Sequence, residues 1–200
     1  MKHETHNTKQ KKKLLHDSCF MIHEQGFTLV EAVVATAVFA FVIVSVLGVY
    51  MSTIQLDRKS RAQRAVSQNA RFILEFLAKE VRNGTINYAS YAGGVVSGTS
   101  TLYLQNQSNI IEQLSLNGTN LVLTKNGSST NLNSGSVKVT NLKFYIQPVG
   151  NPYTVAKTYN EQPHVTVILG LTSNYGAGAL NTAALQLQDT FSTRSYPTRQ

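Results

Sequence analysis

The chain has 200 residues, 42% of them hydrophobic, with 18 basic and 10 acidic side chains, one cysteine and a net charge of +8. That length holds one modest domain with an appendage and excludes two full catalytic domains, while a lone cysteine excludes an intramolecular disulfide framework and any multi-cysteine metal site. Only 14% of residues are charged, against roughly 25% in ordinary soluble domains, so the apolar residues should be gathered in one place.

Residues 1–26 are polar and lysine-rich, with Lys2, Lys9, Lys11, Lys12 and Lys13, four of the five histidines, and Cys19. From residue 32 to residue 56 there is no charge at all, and the composition is dominated by Val, Ala and Phe. A run of 25 residues exceeds the ~20 needed to cross a bilayer as a helix. It is too long for the apolar region of a secretory signal peptide, ~7–15 residues, and too greasy on every side for a core helix of a small domain. It reads as a membrane span.

Residues 57–84 turn strongly charged, and their apolar members Ala62, Ala65, Val66, Phe72, Ile73, Phe76, Leu77 and Val81 step by three and four. That spacing predicts an amphipathic helix, ended at Asn83 and Gly84, where glycine is expected to take the left-handed conformation. No proline falls between 27 and 84. One continuous helix of about 55 residues, roughly 80 Å at 1.5 Å per residue, follows.

From residue 85 onward the chain is rich in Asn, Ser, Thr and Gly. Alternating runs at 101–105, 110–116, 120–125, 137–147, 164–172 and 184–190 predict strands, and Asn117 with Gly118 marks a tight hairpin between two of them. Residues 127–136 and 175–182 read as loops. Alternation implies an antiparallel β-sheet with one buried face, laid on the helix stripe to give an α+β domain of about 140 residues. The organisation expected is therefore 1–26, a leader; 27–56, the spanning half of the helix; 57–84, its amphipathic half; and 85–200, a β-rich globular domain.

One residue is out of place. Glu31 stands at the start of the apolar run, where a carboxylate at mid-bilayer would cost on the order of 2.5–3.5 kcal/mol, and no Lys or Arg occurs between Lys13 and Arg58. A cut after Gly26 would resolve this. Phe27 would then carry a new α-amino cation, able to pair with Glu31 of a neighbour in a staggered stack, so two charges each costly alone would neutralise each other only in an assembly.

The stretch Gln25-Gly26-Phe27-Thr28-Leu29-Val30-Glu31 before a spanning run resembles the cleavage site of type IV prepilins and type II secretion pseudopilins. The resemblance implies that Gly26 is the residue left behind by a prepilin peptidase. It also implies that Phe27 becomes the N-methylated first residue and that Glu31 is the assembly carboxylate. Residues 70–82 are similar to the helix ending of J-type minor pseudopilins and W-type minor pilins. Residues 137–144 and 164–167 look like the paired strands of that subgroup, and 189–194 like its closing strand. This favours a minor, priming or tip subunit over a major pilin. The chain departs from many pilins in lacking a proline in the spanning half. Loss of Cys19 with the leader leaves no C-terminal disulfide loop, and Glu112, Glu161 and Asp189 are too scattered to suggest the calcium loop of major pseudopilins. Met1 and Met21 remain alternative translation starts, the second giving a leader of common prepilin size.

The leader lysines suit a cytoplasmic N-terminus, but Arg58, Lys59, Arg61 and Arg64 flank the other end, so the cleavage motif decides the orientation. The expected location is the inner membrane, single-pass, with the distal domain periplasmic or extracellular and later part of a filament. Removing residues 1–26 takes five Lys and three acids, leaving 13 bases against 7 acids. The basic helix face around Arg58 to Arg71 suits acids of neighbouring subunits better than DNA or lipid headgroups, because no aromatics are interleaved with it. The partners expected are a prepilin peptidase, other pilins, the inner-membrane assembly platform and membrane lipid, with DNA the weaker candidate. No cofactor or metal is expected. Nor is catalysis: beyond the leader the only histidine is His164, no Gly-x-Ser-x-Gly elbow exists, and Gly176-Ala177-Gly178 reads as loop. The eight distal tyrosines fit core and strand positions or an adhesive surface. The alternative to a filament subunit is a signal-anchored surface binding protein that does not polymerise.

Overall fold

The computed structural model describes residues 26–94, 96–154, 161–176, 178 and 182–195. The expected leader up to residue 25, Tyr159, Tyr196 and part of the 175–182 loop lie outside the described residues. The chain divides into two compact units, Met1–Leu47 and Gly48–Gln200.

One helix, α1 (Leu29–Asn83), runs 55 residues as the uninterrupted, proline-free sequence requires. Nine strands follow among the described residues: β1 (Thr85–Ile86), β2 (Gly98–Thr99), β3 (Thr101–Gln105), β4 (Ile111–Asn117), β5 (Asn120–Lys125), β6 (Ser128–Asn131), β7 (Val137–Gln147), β8 (His164–Ser173) and β9 (Ala184–Ser192). They form two antiparallel sheets, not the single one expected, in the orders β1-β3-β4-β5-β6 and β2-β7-β8-β9. The sheets meet where β7 lies beside β3, β4 and β5. Buried Asn133 ties them: its Oδ1 accepts the Leu121 N–H at 2.8 Å, and its Nδ2 donates to the Val137 carbonyl at 2.7 Å. The Val139 N–H donates to the Thr119 carbonyl at 2.8 Å close by.

The amphipathic part of α1 buries Ala62, Ala65, Val66, Ala70, Ile73, Leu77 and Val81. These pack with inward residues of both sheets, among them Leu102, Leu114, Leu121, Phe144, Val167 and Leu169. Full burial of Ile73, Leu77 or Val81 stabilises by about 1.5–3 kcal/mol each. Phe72, expected on that stripe, is instead 52% exposed. At 100° per residue it falls beside the Ile73–Leu77 line, where its ring meets that of Phe76, centroids 6.4 Å apart.

Two hairpins differ from expectation in an instructive way. The register Asn117↔Asn120 makes Gly118-Thr119 the central pair of the first turn, with Gly118 at φ 60°, the position glycine takes in a type II′ turn. The segment 127–136 is not all loop. Asn126 and Gly127, at φ 51° and 76°, link Lys125 to Ser128 and start β6, as Asn-Gly does in a type I′ turn.

Gly84 also corrects an expectation. Its φ is not in the left-handed region; glycine is needed because a Cβ would lie 3.0 Å from the backbone oxygens of both Gln105 and Glu80. The helix end is thereby pressed against β3.

Near that end sits a carboxylate pair. Glu112, 2% exposed, occupies an inward position of β4 opposite Lys125. It accepts from Lys125 Nζ at 2.6 Å and Asn106 Nδ2 at 2.9 Å. Burial pushes its carboxyl upward, but these hydrogen bonds, the Lys125 charge and a hydrogen bond from Glu80 together outweigh burial and hold it below the ordinary value. Glu80 on α1 is raised, first by burial and then by the neighbouring Glu112 charge, with Lys79 and Lys125 opposing.

Gly84→Ala should lower stability by about 1–3 kcal/mol, read as a shifted denaturation midpoint of the detergent-solubilised chain. Gly135→Ala serves as a reference, since no described atom lies within 4 Å of a Cβ there and its φ is not positive. The two glutamates should give opposite pH slopes. Glu112, depressed in the fold, contributes stability that is complete above its ordinary value of 4.5 and is lost as pH falls through the lower folded value. Glu80, raised in the fold, makes stability fall as pH climbs from 4.5 through its raised value. Denaturation midpoints against pH should therefore peak near 4.5, and Glu80→Gln should remove the fall on the alkaline side while leaving the acid limb.

Candidate functional site

The start of α1 is built by a cap. Thr28 precedes the first helical residue; its Oγ1 accepts the Glu31 N–H at 3.2 Å, and its carbonyl accepts the Ala32 N–H at 3.1 Å. Thr-x-x-Glu is the capping-box spacing, and an acid in the first turn suits the positive end of the helix dipole. The signal was legible in the sequence, yet reading Glu31 only as a membrane charge passed over Thr28. Glu31 is exposed and forms no ion pair among the described residues.

Gly26 and Phe27 stand just before the cap. A Cβ at Gly26 would meet no described atom within 4 Å, and the residue is not at positive φ, so neither close packing nor the backbone calls for glycine there. Phe27 is 71% exposed. The three residues Gly26, Phe27 and Glu31 are thus gathered at one accessible helix start, with Glu31 one turn in.

Beyond them the apolar part of α1 is uncovered on every side. Its most apolar stretch has a mean hydropathy of 2.7 with none of it buried. Three of its hydroxyls are satisfied on the helix itself: Thr36 Oγ1 donates to the Val33 carbonyl at 2.9 Å, Ser45 Oγ to Phe41 at 2.8 Å, and Thr53 Oγ1 to Val49 at 2.9 Å. Such bonds remove the cost of carrying a hydroxyl into hydrocarbon.

On the basic stretch that follows, Asp57 pairs with Arg61 at 2.8 Å, both largely exposed. Arg64 Nη2 donates to Ser60 Oγ at 3.0 Å. Arg58, Lys59, Arg64 and Arg71 have no acidic partner among the described residues. His164, at the start of β8, faces Gln147 and Ser192 across its neighbours and lies 3.4 Å from the Gln162 carbonyl. No group of three or more metal-binding side chains occurs among the described residues.

A family model described as the prokaryotic N-terminal methylation motif matches residues 21–47, the stretch that spans Gly26, Phe27, the Thr28 cap, Glu31 and the first half of the apolar run. No curated protein and no solved structure matches the chain.

Proposed function

We propose, from a methylation motif that supports a type IV pilin-like protein, that the chain is a minor pilin or pseudopilin. It is made as a prepilin, cut between Gly26 and Phe27 by a prepilin peptidase and N-methylated on Phe27. It is held in the inner membrane by the apolar part of α1, with the β-rich domain outside the cytoplasm, until the assembly platform incorporates it at or near a filament tip. Its work is to prime assembly for secretion, adhesion, motility or DNA uptake. It is a structural subunit with no catalytic role.

The observation that carries this reading is Glu31: an exposed carboxylate, without a described counter-charge, at the head of a helix that is uncovered and apolar beyond it. Cleavage supplies the missing cation one turn away on a neighbouring subunit. Gly26 supports the same reading, because no described residue comes near enough to call for a glycine there. The capping box alone would explain an acid or an amide at residue 31, since Gln caps as Glu does, so charge and cap are separable.

Intact-mass measurement on chain isolated from native membranes should find Phe27 as an N-methylated first residue, and a bulky Gly26 substitution should leave a heavier, unprocessed band. Material beginning upstream of Phe27 would overturn the reading. Glu31→Gln should keep the helix start and leader cleavage, yet reduce filament recovery severalfold. Thr28→Ala, which weakens the cap by about 1 kcal/mol, should leave recovery near normal. Equal recovery of Glu31→Gln and the unaltered chain would remove the pairing mechanism, and absence of the unaltered chain from filaments would favour an anchored, non-polymerising protein.

A further inference from the structure

The outer face of the β2-β7-β8-β9 sheet has no part in the packing or the helix start described above. Strand register sets its side chains in rows: Lys143, Ile168 and Gln188 in one, and Tyr145, Thr166 and Thr190 in the next. Gln147, His164 and Ser192 form a third, and Lys138 with Thr172 and Ala184 lie toward the other end. All point away from the core, because they alternate with buried Phe144, Ile146, Val165, Val167 and Leu169.

Lys138 and Lys143 are five residues apart, which in a regular strand would put them on opposite faces. The register shift between Val139 and Asn141 inserts one residue and returns both lysines to the same side. Gly170 makes room for it across the sheet: a Cβ there would be 2.9 Å from Thr140 Oγ1 and 3.1 Å from Asn141 Cβ.

The rows contain no acid. Asp189, the one acidic residue of β9, pairs with Val167 and so belongs to the opposite phase. Tyr145 is 41% exposed, and a Cβ at Gly98 would lie 3.2 Å from its Cε1, so the ring edge rests on bare β2 backbone. Around it stand neutral donors and acceptors, Gln147, Gln188, Thr166 and Thr190, the two hydroxyls 2.8 Å apart.

We propose that this face binds an acidic polysaccharide. Lys138 and Lys143 complement sugar carboxylates, the amides and hydroxyls match sugar hydroxyls, and Tyr145 offers one apolar platform for a sugar ring. A single-stranded nucleic acid site would need successive aromatic platforms, and these rows hold one. The proposal stands on the sheet alone and does not depend on leader cleavage, membrane insertion or assembly.

The test is binding of the full detergent-solubilised chain to immobilised polygalacturonate, with neutral dextran and an oligothymidylate as comparisons. The chain should bind polygalacturonate, with weaker binding at high salt, and should not bind dextran. The double variant Lys138→Gln/Lys143→Gln should lose about tenfold or more in affinity, equivalent to about 1.4 kcal/mol. Tyr145→Ala should weaken binding also, while Arg64→Gln/Arg71→Gln on the helix should not. Unchanged thermal unfolding of each variant guards against misfolding, and Gln188→Glu, which adds an opposing charge at an exposed position, gives an independent loss. Failure to bind polygalacturonate, full affinity in the lysine double variant, equal loss in the helix variant, or tighter binding to the oligothymidylate would each overturn the proposal.

Discussion

Helix α1 must satisfy two incompatible surroundings with one backbone. Leu29 to Leu56 offer apolar side chains in every direction, and among the described residues nothing hides them, whereas Ala62 to Val81 offer a single stripe that the two sheets cover. The rest follows from that division. The β-rich region exists, physically, to bury one line of seven side chains, and the uncovered portion requires a hydrocarbon environment or other helices. The polar groups at its head, Thr28 and Glu31, are what give that environment an edge.

The distal fold is held by a few specific ties in addition to the apolar core. Asn133 bonds backbone groups of both sheets, so the sheets cannot slide past each other without stranding a buried amide. Asn69 does the same for the helix: its Oδ1 accepts the Ser134 N–H at 2.9 Å, while its Nδ2 donates to its own helix at Ala65. Tyr88, buried, donates to the Pro148 carbonyl at 2.9 Å, which fixes the chain after the helix against the end of β7. The ties of Asn69 and Tyr88 join residues 65 and 60 positions apart in sequence.

Much of this was legible in the residues. The extent of α1 follows from missing prolines and missing charges, and the limits of β3, β5 and β7 from largely alternating runs bounded by turn residues. Two sheets could not be told from one, because periodicity reports which face of a strand is buried and says nothing of which strands are neighbours. Strand β6 was hidden by Ser, Asn and Gly content, although Asn126-Gly127 carries the turn signature that was accepted at Asn117-Gly118. Gly84 was assigned to conformation when its reason is a close approach to β3, which no local pattern reveals. The Glu112–Lys125 pair lay within reach of a register argument: centre the first hairpin on Gly118-Thr119 and the two fall opposite each other. That Glu80 would join them depends on how the helix end meets the sheet, and the sequence is silent there.

Thr36, Ser45 and Thr53 direct their hydroxyl hydrogens to carbonyls of their own helix. A neighbouring helix lying alongside this stretch would consequently meet a surface with no hydrogen left to donate outward from these three side chains. At these three positions discrimination between one neighbour and another must then come from steric fit, from which small and which β-branched residues face each other, and axial position from the acid at the helix head. Such a surface is permissive about identity and strict about alignment.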